Sequence, residues 1–355
     1  MDFEDFKKNL IKEINNELEH RGRTNMEVSS VHVDKLNESY DAATVKGKDS
    51  HIGVNVNLNR LFDQYKANEI TVTDAISRAA DAAENGLKDT PQYDVNSLTD
   101  YSQMKDKLSM EVVSAERNTE MLAKIPHEDM EDMAVVYRLI LDENESGRGT
   151  VLVTNNLMEH FGITQEQLHA DAMENAPEIR PAEVRGMTEI MNEMLPGFDQ
   201  DMSPADEQMF VASVPDKING AGVIAYPNFM EDAAQKLGGD FYVLPSSIHE
   251  VLLVRDNGQM TAKELEQMVK EVNSTQVSPD EQLTDHVYHY DAKAHVFEMA
   301  DRFEARQAEL DAEEHGVDKD SVLGDLKAKK DGAAKQSPEK HAKDAVKKSR
   351  GGEAL

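Results

Sequence analysis

Two apolar rhythms, one with the period of a helix and one with the period of a strand, succeed each other irregularly along this chain of 355 residues. Phe3, Phe6, Leu10, Ile14 and Leu18 recur every three or four positions, the spacing of one helix face. Gly22 stands where such a helix ends. Three strand-like runs follow directly, at residues 26–33, 39–45 and 51–58. The last alternates Ile52, Val54, Val56 and Leu58 against Gly53, Asn55 and Asn57, the pattern of a half-buried strand. Runs at 133–141, 151–153, 209–214, 223–226, 241–244 and 251–254 predict further strands, and 285–299 predicts a hairpin turning at 291–294. Strands that lie next to strands do not make a repeating βαβ array. The expected class is therefore α+β, with mixed or antiparallel sheets and packed helices.

Helix starts are marked chemically. Thr71 with Asp74, Thr164 with Gln167 and Thr261 with Glu264 stand at capping-box spacing. The first of these helices carries Ala75, Ala79, Ala80 and Ala83, a face small enough for a neighbour to approach closely. Pro177 is expected to stop the second. Asn228 is expected to cap a helix through Phe229, Ala233 and Leu237. A polar stretch at 90–100 reads as a linker between an N-terminal α+β segment, 1–90, and a main α+β segment, 101–317; the two form separate domains or a single one. Beyond Val317 there are 10 Lys+Arg against 7 Asp+Glu and no aromatic residue, so 318–355 is expected to be a disordered Lys-rich tail.

Charge and composition exclude several functions. Lys+Arg total 38 and Asp+Glu 69, a net charge of −31; the tail contributes +3, so the body carries −34. Such a body is not expected to bind nucleic acid; for the basic tail, contact with nucleic acid and a merely solubilising role both stay open. With no Cys there is no disulfide framework, Cys-ligated metal or thiol nucleophile. No apolar run approaches the roughly 20 residues that span a bilayer, and no basic start leads into an apolar stretch. A cytoplasmic protein without a membrane partner is expected.

Four residues between two strands offer a hydroxyl, an imidazole and a carboxylate: Ser246, Ser247, His249 and Glu250. They are the candidate catalytic residues of a hydrolase-type enzyme. Against that, triads are assembled from distant segments, and no Gly-x-Ser-x-Gly elbow is present. Ser247 and Glu250 also stand at capping-box spacing, and Pro-Ser-Ser is turn chemistry. His286, His289 and His295 do not converge on a hairpin, so zinc is not expected; Tyr288, Tyr290 and Phe297 predict an aromatic sheet surface. Tyr288, Tyr290 and Asn273 are the candidate ligand- or partner-binding residues. The run Glu128, Asp129, Glu131, Asp132 reads as a solvated acidic face. No EF-hand, P-loop or Gly-x-Gly-x-x-Gly pattern occurs, and Gly220-Ala221-Gly222 is too short to stand for one. No metal and no cofactor is expected.

The stretch Phe241-Tyr242-Val243-Leu244-Pro245-Ser246-Ser247-Ile248-His249-Glu250-Val251-Leu252-Leu253-Val254 resembles an uncharacterised domain family of Gram-positive gut anaerobes, often met on integrated mobile elements. Met268-Val269-Lys270-Glu271-Val272-Asn273, Glu281-Gln282-Leu283 and Tyr288-His289-Tyr290-Asp291 carry the same resemblance, which covers about residues 1–300. It implies a bacterial cytoplasmic setting and no assigned activity. The leading expectation is a non-enzymatic interaction or regulatory module whose partner is another protein. The alternatives are the hydrolase just described and an acidic mimic of DNA.

Overall fold

The computed structural model describes residues 1–48, 50, 53–88, 100–144, 147–195 and 206–314. The expected linker at 90–100 lies largely outside them, and the Lys-rich tail at 318–355 wholly so. Helices and three antiparallel sheets make the fold α+β.

Helix α1 (Phe3–His20) begins where the Asp2 carboxylate accepts the Asp5 N–H at 2.9 Å. It ends at Gly22, whose φ of 82° lets the Arg23 N–H reach back to the Leu18 carbonyl at 2.8 Å. Strands β1 (Met26–Lys35), β2 (Glu38–Gly47) and β3 (Gly53–Asn57) pair in that order. Helices α2 (Leu58–Lys66) and α3 (Val72–Lys88) follow. Phe6, Leu10, Ile14 and Leu18 are at most 1% exposed and pack with Ala75, Ala79, Ala80 and Ala83 of α3 and with Ala43, Val45 and Val56 of the sheet. Burying each large side chain of this kind contributes about 1.5–3 kcal/mol. Leu58 was expected to close the third strand. It opens α2 instead, because the Asn57 carboxamide caps the helix by accepting the Arg60 N–H at 2.9 Å.

The second sheet is built on β6 (Met133–Asn144). Strand β4 (Leu108–Ser114) runs along one side of it; β5 (His127–Met130) and then β7 (Gly147–Leu152) run along the other. Helix α4 (Tyr101–Met104) precedes β4, and α5 (Thr119–Leu122), α6 (Asn155–Phe161) and α7 (Gln165–Ile179) complete the segment. Strand β5 reads His-Glu-Asp-Met, with no apolar alternation to announce it. Helix α7 outlasts Pro177 by two residues: the ring deprives only the Met173 carbonyl, and the Arg180 N–H still closes on Ala176 at 2.9 Å.

The third sheet has the order β13-β12-β10-β11-β9-β8. Its strands are β8 (Glu183–Gly186), β9 (Met209–Ser213), β10 (Phe241–Leu244), β11 (Val251–Arg255), β12 (Tyr288–Asp291) and β13 (Val296–Met299). Helices α8 (Met187–Met194), α9 (Phe229–Leu237) and α10 (Ala262–Thr275) intervene, the last opened by the expected reciprocal bonds of Thr261 and Glu264. Asn228 precedes α9 but does not cap it: its backbone is left-handed (φ 62°) and its side chain accepts no helix N–H. The strand expected at 223–226 is also absent; Gly220–Ala225 forms a 3-10 turn.

Met1–Phe297 forms one compact unit, and Glu298–Leu355 a second. The second contains α11 (Ala300–Glu314), where Arg306 meets Glu298 at 2.7 Å. Among the described residues no helix is long and apolar enough to cross a membrane.

Candidate functional site

Segment 246–250 is sewn down on both sides. The Ser246 carbonyl accepts the Leu283 N–H at 3.2 Å, Ser247 bridges to Gln282, and the Ile248 N–H reaches the Glu281 carbonyl at 2.9 Å. On the other side, the Ala221 N–H reaches the Ile248 carbonyl at 3.1 Å and the Ser213 hydroxyl donates to the His249 carbonyl at 2.8 Å. Ser247 does not form a capping box with Glu250, because a strand and not a helix follows. Its hydroxyl oxygen accepts the His249 N–H at 3.1 Å, a local turn bond.

The imidazole of His249 faces away from both serines. Its Nδ1 accepts the Asn219 N–H at 3.1 Å, which places the ring proton on Nε2, 3.5 Å from a Glu281 carboxylate oxygen. The Gly220–Ala225 turn makes this contact achievable. A Cβ on Gly220 would stand 2.6 Å from the His249 carbonyl oxygen, and one on Gly222 2.6 Å from that of Met110. Only glycine lets the turn press against both β4 and the 246–250 segment.

Asn219 sits at the head of that turn with a left-handed backbone (φ 52°), and its side chain crosses to the second sheet. Its Nδ2 donates to Oε1 of Glu111 at 2.8 Å, and the same oxygen meets Nε of Arg138 at 2.9 Å. Arg138 Nη1 continues to the Thr150 hydroxyl at 3.3 Å. A polar chain thus runs Glu281, His249, Asn219, Glu111, Arg138, Thr150. Glu111 is 4% exposed, and a lone buried carboxylate would cost several kcal/mol, on the order of the penalty for an unpaired ion. Arg138 and Asn219 supply the compensation.

The middle members of this polar chain, Asn219, Glu111 and Arg138, form the floor of a cleft of about 320 Å³ with apolar walls from Leu36, Val113, Met121, Leu152 and Ile248. A second, polar cleft of about 440 Å³ adjoins it; the two share Asp34, Lys35 and Met121. The rim between them is the end of β1. It is fixed by reciprocal amide bonds: Asn37 N–H to the Asn118 oxygen at 2.6 Å, and Asn118 Nδ2 to the Asn37 oxygen at 2.7 Å. Asn37 Nδ2 also reaches the Gln282 carbonyl at 3.0 Å, and Arg117 the Gln282 side chain at 2.6 Å.

The other residues singled out in the sequence lie in and around the third sheet, outside the linings of these two clefts. Tyr288 is fully buried and stacks on Phe297 at 5.1 Å; Tyr290 tilts against Phe241 at 5.5 Å. Tyr288 and Tyr290 are core and Phe297 is half-buried, where an aromatic surface was expected. Tyr288 donates its hydroxyl to Asp132, which also accepts from Thr284 and His286, each at 2.8 Å. Burial pushes the Asp132 pKa up, but these bonds, Tyr288's foremost, outweigh it and hold the group below the ordinary carboxylate range. Asp132 is therefore an anchor between sheets and not part of a solvated face. Tyr290 donates to Glu231 at 2.9 Å, and burial followed by that bond pushes its phenol up to about 12. Asn273 is buried and donates to the Thr284 carbonyl at 2.9 Å and to Asp285 at 2.6 Å. The three histidines meet three different carboxylates: His286 with Asp132, His289 with Asp256 at 3.1 Å and His295 with Glu231 at 3.6 Å. His286 precedes the strand it was expected to join.

Glu111, Arg138 and Asn219 escaped the sequence reading. The signal was present for two of them: each is a charge in the middle of an apolar strand run, which a fold tolerates only where the charge is paired.

No curated protein and no solved structure matches the chain. One family model does match, over residues 3–292, and so takes in all three sheets up to β12, both clefts and the whole polar chain. On that match the chain belongs to the Family of unknown function (DUF5688).

Proposed function

We propose that the chain is a protein-interaction module of the bacterial cytoplasm that receives an extended, Lys- or Arg-bearing segment of its partner along the outer edge of β1. The mobile-element setting implied by the sequence resemblance belongs to the same reading. The observation that carries it is the edge itself. Strand β1 is ten residues long and ends its sheet, so among the described residues it pairs with β2 alone. Ser29, Ser30, Val31 and His32 are exposed in succession, Val31 at 42%. A long edge with unspent N–H and C=O groups is a template for an added strand, and proteins without such a use blunt it. The edge leads into the rim shared by the two clefts, where Glu116 and Glu120 line the outer one. With a net charge of −31, the chain favours a basic partner.

Site-specific photocrosslinking in the native host tests this reading. A crosslinker at Val31 is expected to capture a partner whose joined peptide carries Lys or Arg. One at Lys12, 77% exposed on α1, is expected to capture nothing above background. Equal yields from the two positions would overturn the proposal.

A further inference from the structure

The inner cleft holds charged atoms that the fold leaves unspent. Glu111 receives both Asn219 and Arg138 on Oε1, and among the described residues its Oε2 takes no hydrogen bond. Arg138 gives Nη1 to Thr150, and among the described residues its Nη2 makes no hydrogen bond. Directly across the strand pair from Arg138, on the same sheet face, lies Ser109, 1% exposed and, among the described residues, with no partner for its hydroxyl. A carboxylate oxygen and a guanidinium nitrogen thus flank one ion-pair contact, in a cleft whose walls are otherwise largely apolar. A fold that needed only stability would do as well with two apolar side chains here, since buried ion pairs rarely repay their desolvation.

We propose that this cleft binds a free α-amino acid with an aliphatic or thioether side chain. Its α-ammonium donates to Oε2 of Glu111, its α-carboxylate accepts from Nη2 of Arg138, and its side chain lies against Leu36, Val113, Met121, Leu152 and Ile248. The charges select this class. The Glu111–Arg138 pair is neutral as a whole, so a simple cation or anion would satisfy one partner and repel the other. A zwitterion satisfies both, and the ammonium and carboxylate of an amino acid are separated by a single carbon. The volume, about 320 Å³, sits at the small end of ligand sites and suits one residue better than a nucleotide. The apolar walls do not repay the desolvation of a charged side chain, and the charged residues at the shared rim are engaged elsewhere, Asp34 with Lys124 at 2.6 Å and Lys35 over the Tyr40 ring. The site is independent of the β1 edge and is tested on the purified chain without a partner.

Calorimetric titration of the full chain with leucine, isoleucine, valine and methionine tests the proposal, with lysine and glutamate as controls. At least one aliphatic or thioether amino acid is expected to bind saturably, and the two controls are not. The N-acetyl and the amide forms of that ligand each lose one charge-assisted hydrogen bond, and each is expected to bind roughly tenfold or more weakly. Leu152→Trp, which fills the apolar wall, is expected to abolish binding. The capped ligands ask the same question of the unaltered protein, so a folding defect in that variant does not decide the outcome. No heat from any uncapped amino acid at about 10 mM, or capped forms that bind as tightly as the parent, would overturn the proposal.

Discussion

The two faces of the second sheet share the same strands and have opposite characters. On one face, Tyr137 and Leu139 of β6 stand beside Met110 and Leu108 of β4, all at most 1% exposed, and α7 closes over them. The Tyr137 hydroxyl is satisfied by Nδ1 of His169 on that helix, at 2.8 Å. On the other face, Glu111 and Arg138 look onto a cleft, with Ser109 buried beside them. Strand alternation alone distributes these roles, since neighbours along a strand point to opposite sides. One register therefore builds a sealed core and a polar floor only a sheet's thickness apart.

Substitutions can break this contrast from either side. The largest loss is expected on the sealed face: Tyr137→Ala should destabilise the fold by about 3–5 kcal/mol, read from denaturant midpoints at constant m. On the open face Glu111→Ala should cost about 3 kcal/mol, because it leaves Arg138 uncompensated beside an apolar wall. The decisive companion is the double variant Glu111→Leu, Arg138→Met, expected within about 1 kcal/mol of the parent. If the double variant is as unstable as the single one, the open face is a structural core after all. Asn118→Ala, which leaves the rim of the clefts with an unpaired Asn37, should cost about 1–3 kcal/mol. Val31→Lys, on an exposed edge, should change stability by no more than about 0.5 kcal/mol while removing the Val31-dependent partner contact in a pull-down against the identified partner.

Acid offers a further probe, of the third sheet. His289 is fully buried beside Asp256, and burial, only partly opposed by that carboxylate, holds its pKa below the ordinary 6.5. The folded state keeps the ring neutral, and the unfolded state takes up a proton near pH 6.5. The stabilisation is therefore complete above that pH and is lost as pH falls from 6.5 through the folded-state value. His289→Asn should flatten the slope of stability against pH in this window.

Much of this architecture was legible because local chemistry and the final fold agree. The α1 stripe, the Thr71 and Thr261 capping boxes and the β10–β11 pair each obey a short-range rule that packing then reinforces. The misses share another cause: the deciding atom was distant in sequence. The Gly220–Ala225 turn replaces a strand because of the Met110 carbonyl, more than a hundred positions earlier. Strands β5 and β8 are held by their pairing with β6 and β9, with no apolar alternation of their own. Of the site, His249 stood out in the sequence, but its neighbours Asn219 and Glu111 did not, since no spacing rule joins residues from three separate segments.

The amide clasp at Asn37 also bears on how the chain is made. The core of the first sheet draws only on residues between Phe6 and Ala83, so it can form before the segments that follow are made. Its turn, however, binds a carbonyl 245 positions later. During synthesis Asn37 can make this bond only after Gln282 has been added, long after the sheet's own core residues are available. Contacts of such sequence separation slow folding, which makes that interval the period in which a chaperone, or the partner itself, has first access to β1.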